Sequence, residues 1–100
     1  SMGAVEGGVW GEEERLKDAL VTITNRIRFV REVCNGSLPL FQQTESELKA
    51  KLLEQEYTQL DGEEYSYLLS MPASVFTKGK LDTLEQEHQE METKLQDTRK

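Results

Sequence analysis

Two stretches of this 100-residue chain place apolar residues at alternating spacings of three and four. The first holds Leu16, Leu20, Ile23, Ile27, Val30 and Cys34, spaced 4, 3, 4, 3, 4. That is a heptad seam, held long enough to predict a helix that shows one stripe to a partner helix. Asn35-Gly36 follows at once as a stop signal, so the helix is expected from about Glu12 to Cys34, on the order of 35 Å long. Glu12, Glu13 and Glu14 fall in its first turn and Arg31 in its last, the ends at which the macrodipole favours those charges. The second stretch holds Leu81, Leu84, His88, Met91, Leu95 and Thr98, spaced 3, 4, 3, 4, 3. Thr77 is its expected N-cap, and Gly79 in its first turn is a weakness of about 1 kcal/mol against Ala.

Two matched seams, separated by about 45 residues, pack most simply as an antiparallel coiled-coil hairpin. The first helix carries Arg26, Arg28 and Arg31, the second Asp82, Glu85, Glu87 and Glu90, and antiparallel pairing sets these stretches side by side. An exposed ion pair contributes only about 0.2–1 kcal/mol, so the charges select orientation more than they add stability.

Residues 35–76 follow another pattern. Leu38-Pro39-Leu40-Phe41 is a short apolar stretch whose proline makes it extended or turn-like. Thr44-Glu45-Ser46-Glu47 fits a capping box, opening a helix with Leu48, Leu52, Leu53 and Tyr57 on its apolar side. Asp61-Gly62 marks a turn. Tyr65 to Met71 reads as a short helix stopped by Pro72, and Val75-Phe76 lead into the second long helix. Most of the aromatics (Phe41, Tyr57, Tyr65, Tyr67, Phe76) lie in this block. The expected fold is therefore all-α: an antiparallel two-helix coiled-coil arm, 12–34 and 77–100, capped by a small helical knob, 35–76. Residues 1–11 hold most of the glycines and read as a disordered leader, with Ser1-Met2 a cloning remnant on a piece of a longer protein.

Composition narrows the function. Apolar residues make up 36% and charged residues 31% of the chain, which suits one small domain of solvated helices. The 19 acidic against 12 basic residues leave a net charge of −7, the wrong sign for a free-standing nucleic-acid binder. No apolar run approaches the roughly 18 residues of a membrane span, and no signal-peptide pattern is present, so an intracellular, soluble protein without a membrane partner is expected. One cysteine excludes an intramolecular disulfide and a Cys-based zinc cluster.

Catalytic chemistry finds no constellation. His88 lies on a seam and reads as a packing or register residue. Cys34 closes the other seam and reads as a small buried apolar group, with no histidine near it in sequence. The glutamates at 85, 87, 90 and 92 occupy ordinary solvated positions, and no glycine-rich loop follows an apolar strand. The three tyrosines read as knob packing. No catalytic, cofactor-binding or metal-ligating residue is expected in this chain.

The run Tyr67-Leu68-Leu69-Ser70-Met71-Pro72, followed by Phe76-Thr77-Lys78-Gly79-Lys80-Leu81, resembles a stretch of eukaryotic type IIA DNA topoisomerases. Asn25-Arg26-Ile27-Arg28-Phe29-Val30 is similar to a segment near the end of that family's outgoing arm, and the resemblance covers roughly residues 16–95. It implies the coiled-coil arm ending in the exit gate, or C-gate. There, two arms meet tip to tip across a two-fold axis and part to release a transported duplex. The implied partners are a second copy of the chain and double-stranded DNA handled by the full-length enzyme. ATP and Mg would serve other parts of that enzyme, in the nucleus or in an organelle genome. Leu40, Phe41, Tyr65 and Leu68 are the expected tip contacts. Phe76 stands where the family has leucine, Gly79 where it has a charged residue, and the segment from Tyr57 to Tyr67 is shorter than in many members. The alternative is a coiled-coil hairpin tether from a scaffold protein, its knob binding a foreign partner.

Overall fold

A computed structural model describes the backbone of residues 2–99 and the side chains of residues 13–97. Among the described residues four α-helices follow one another: α1 (Met2–Cys34), α2 (Glu45–Glu54), α3 (Ser66–Leu69) and α4 (Lys78–Arg99). Single 3-10 turns stand at Leu40–Gln42 and Ala73–Val75. Among the described residues there is no strand, only an isolated bridge between Leu60 and Glu64. The fold is all-α, as the periodicity requires. α1 begins at Met2, whereas the sequence predicts the helix from about Glu12 after a leader over 1–11, so Glu12, Glu13 and Glu14 do not form its first turn. The side chains of residues 1–12 lie outside those described.

α1 and α4 pack as a hairpin. Thr24, Ile27 and Arg31 of α1 share a cleft with Glu85, His88 and Glu92 of α4. Ile23, Ile27 and Val30 are buried on one side of the seam and Leu95 on the other. Leu16, Leu20, Leu81, Leu84, His88 and Met91 are half-buried, so both heptad stripes face inward as expected. Thr98 lies outside the described side chains. Arg31 Nη2 and Glu85 Oε2 close the hairpin with a 2.6 Å ion pair, half-exposed on both sides and so worth little energy.

Cys34 departs from its expected role: it is exposed. In the last two turns of α1 the inward-facing stripe shifts from the seam to the knob. Phe29 is fully buried there and Val33 packs beside it, which leaves Cys34 facing solvent. The chain then reverses at Gly36, whose φ of +87° favours glycine, while the Leu38 N–H reaches back to the Glu32 carbonyl at 3.1 Å.

The capping box forms: the Glu47 N–H donates to Thr44 Oγ1 at 3.1 Å and the Thr44 N–H donates to Glu47 Oε1 at 2.8 Å. α2 buries Leu48 and Leu52 but leaves Leu53 in solvent, 62% exposed, against the expectation that all three share an inner face. Leu53 follows Leu52 by one position, about 100° around the helix, which carries it off a narrow stripe. Thr77 caps α4, receiving the Lys80 N–H at 3.3 Å. A Cβ added at Gly79 would meet nothing within 4 Å. Gly79→Ala should therefore stabilise the protein by about 0.5–1 kcal/mol by restricting the unfolded chain. That is an upward shift of several degrees, on the order of 4–8 °C per kcal/mol for a domain of this size, in a thermal melt.

Candidate functional site: a knob clamped to the arm

The knob is one apolar cluster built on α1. Phe29 is part of it, together with Leu38, Leu48, Leu52, Tyr57, Tyr65, Tyr67 and Leu68. The Phe29 ring stands edge-on to Tyr57, centroids 6.2 Å apart at 87°, and lies 5.9 Å from Phe76. Much of the knob's chain is irregular, so its polar backbone groups need partners that the short helices cannot supply.

α1 supplies them. Asn25 is buried; its Oδ1 accepts the Thr58 N–H at 3.1 Å while its Nδ2 donates to the Val21 carbonyl at 2.8 Å. Arg26 Nε donates to the Tyr67 carbonyl at 3.2 Å. Arg28 Nη2 donates to the Gln55 carbonyl at 2.8 Å, and its guanidinium lies 4.1 Å over the Tyr57 ring. Glu32 accepts the Tyr57 hydroxyl and lies 3.4 Å from Arg28 Nε. α1 thus holds the knob's main chain at three points: Gln55 and Thr58 in the segment after α2, and Tyr67 in α3. Of the three arginines expected to pair with acidic residues of α4, Arg31 does so, whereas Arg26 and Arg28 turn to the knob. For Arg26 the reason is energetic: the carbonyl of buried Tyr67 left without a donor costs about 1–3 kcal/mol, more than an exposed ion pair returns. Arg28 is held at the knob by its place over the Tyr57 ring and beside Glu32 as well as by its exposed bond to Gln55.

The tyrosines are structural. Tyr65 donates its hydroxyl to the Tyr57 carbonyl at 3.0 Å, and Tyr67 donates to the Thr58 carbonyl. Burial pushes the Tyr57 hydroxyl far above its ordinary range, with the hydrogen bond to the Glu32 carboxylate adding to it and Arg28 opposing. Burial likewise raises Tyr67 to about 12, with Tyr65 adding and Arg26 opposing.

The four expected tip residues separate into two pairs. Phe41 stands in solvent on the 3-10 turn, 84% exposed, and Leu40 beside it is half-buried against the core. Tyr65 and Leu68 are 2% and 1% exposed, inside the cluster, and shape the surface from beneath it. Leu53 is the outward-facing apolar residue that sequence reasoning placed inside. The exposed apolar surface of the knob therefore includes Phe41 and Leu53, from two different elements of it.

Other chemistry is sparse. His88 sits on the arm seam, its Nδ1 3.4 Å from Glu92 Oε1. Among the described residues no group of three His, Cys, Asp or Glu side chains is placed to hold a metal ion. No helix among them is long and apolar enough to cross a membrane. No protein-family model and no curated protein sequence matches this chain.

Proposed function

We propose that this chain is the arm and exit gate of an ATP-dependent type II DNA topoisomerase, in which two copies meet through their knobs and part to release a transported duplex. The observation that carries this reading is Phe41, 84% exposed on a knob tied to its arm by side-chain-to-backbone bonds. A large aromatic held in solvent by a fixed scaffold is suited to burial in a second surface. A second support is the meeting of the two stretches that resemble the topoisomerase family. Arg26 of the first bonds the Tyr67 carbonyl of the second, and the Phe29 ring lies 5.9 Å from that of Phe76, so both belong to one structural unit.

In this reading the chain does no covalent chemistry; ATP hydrolysis, Mg binding and strand cleavage belong to other parts of the enzyme, acting on DNA in the nucleus. The arm supplies reach. The knob supplies a self-complementary contact around a two-fold axis, small enough to open on each cycle. The net charge of −7 disfavours adhesion of a departing duplex to the arms.

Sedimentation equilibrium from roughly micromolar to millimolar concentration tests it, against the affinities expected of a modest interface. A reversible monomer–dimer equilibrium is expected, abolished by Phe41→Glu and weakened by Leu53→Glu, both of which leave the fold intact because the side chains are already in water. A chain that stays monomeric at every concentration, and whose Phe41→Glu variant instead loses a foreign protein partner, would favour the tether.

A further inference from the structure

We propose that Asn35 is a site of spontaneous covalent modification, losing its side-chain amide through a cyclic imide formed with the backbone nitrogen of Gly36. The inference stands independently of the gate. Asn35, Gly36 and Ser37 are all exposed, at the one place where the arm's first helix gives way to the knob. Gly36 has no side chain to shield its nitrogen, and the space where a Cβ would stand is open to 4 Å. Asn35 Oδ1 accepts the Ser37 N–H at 2.8 Å. That bond folds the carboxamide back over the intervening peptide. It also sets a donor on the oxygen that gains negative charge when Cγ is attacked, the arrangement by which fixed donors lower barriers to acyl transfer. The bond that competes for the nucleophile, Gly36 N–H to the Val33 carbonyl, is 3.3 Å, the longest in the turn and therefore the weakest.

The step balances with water alone. Hydroxide removes the Gly36 amide proton, and the nitrogen lone pair forms a bond to Asn35 Cγ. The oxyanion collapses, the Cγ–Nδ2 bond breaks, and the nitrogen takes a proton to leave as ammonia. Water then opens the five-membered imide at either carbonyl, giving aspartate or isoaspartate. Both products act on the joint between arm and knob. A new carboxylate lies at the C-terminal end of α1, where the macrodipole repels negative charge. Isoaspartate further inserts a methylene into the main chain just before Leu38, whose N–H caps the Glu32 carbonyl and whose side chain is buried in the knob.

Asn25, the chain's other asparagine, is the internal contrast: it is helical, buried, followed by Arg26 and bonded at both side-chain atoms. The test incubates the full chain at mildly alkaline pH, folded and in urea, with peptide mapping by mass spectrometry and enzymatic isoaspartate methylation as readouts. In the folded chain Asn35 should convert at least as fast as in urea while Asn25 stays intact, and Gly36→Ala should slow the conversion roughly tenfold in both conditions by shielding the nitrogen. An Asn35 that survives in the folded chain but converts in urea overturns the proposal, because the turn then protects it. Conversion of Asn25 in step with Asn35 also overturns it, because global unfolding is then the route.

Discussion

Phe29→Ala should cost the folded protein about 3–5 kcal/mol, the range for deleting a buried phenylalanine side chain. The upper end is expected for two reasons. Phe29 is fully buried and its ring faces Tyr57 and Phe76, so the substitution removes aromatic contacts as well as area and leaves a void walled by rigid rings. The knob also has little regular structure of its own to keep it ordered once its centre is gone: α2 is ten residues and α3 is four. Small domains have total stabilities of about 5–15 kcal/mol, so the loss is a large share of the whole. Urea denaturation should show the drop, with Phe29→Leu falling between the variant and the parent. Leu53→Ala, on the exposed side of α2, should stay within about 0.5 kcal/mol. Phe29→Ala should also lose self-association without any change at the tip, because the tip's geometry depends on the core below it. A loss near that of Leu53→Ala would mean that the knob is not built on Phe29.

The arm was legible in the sequence because a heptad stripe is a one-dimensional signal. Ile23, Ile27, Val30, Leu81, Leu84 and Leu95 could be placed by counting alone, and the Thr44–Glu47 capping box by a four-residue pattern. The knob's seat was harder to read. Phe29 lies off the heptad, and its role depends on a surface contributed by residues far along the chain. A weaker signal was present: between Ile27 and Val33 the apolar positions broaden from a narrow seam to include Phe29 and Val33, as a helix touching two neighbours requires. Arg26 and Arg28 read as partners for acidic residues because charge is visible in sequence, whereas an unsatisfied carbonyl is not. The Gln55 carbonyl closes α2 and the Tyr67 carbonyl lies in the single turn of α3, both places where a helix leaves acceptors over. Which arginine takes which acceptor is settled only once the loops are folded against α1. The tip divided for the same reason. Alternation around the short segment 65–68 could not say that Tyr65 and Leu68 turn inward while Phe41 turns out.

The same junction makes the protein sensitive to alkali. Tyr57 and Tyr67 hold their protons more tightly when folded, because burial disfavours both phenolates and Glu32 repels that of Tyr57. An unfolded tyrosine titrates near 10.0, whereas folded Tyr67 is raised to about 12. Between those values the native state binds more protons than the unfolded one, so stability must fall as pH rises. The contribution is fully present below the unfolded pKa and is lost as pH climbs through the folded one. Tyr57, raised further, keeps draining stability beyond that window. The slope is at most about 1.4 kcal/mol per pH unit for each tyrosine. Urea midpoints measured across this range should fall steeply for the parent and less steeply for Tyr67→Phe and Tyr57→Phe, each variant removing one titrating group. Every other group is common to all three proteins, so the difference in slope isolates the tyrosine. Tyr57→Phe keeps a ring under Arg28 and loses the hydrogen bond to Glu32, so it should be less stable at neutral pH yet relatively more tolerant of alkali. Parallel curves for parent and variants would mean that the hydroxyls are already open to water, and that the knob is held to the arm more loosely than its hydrogen bonds require.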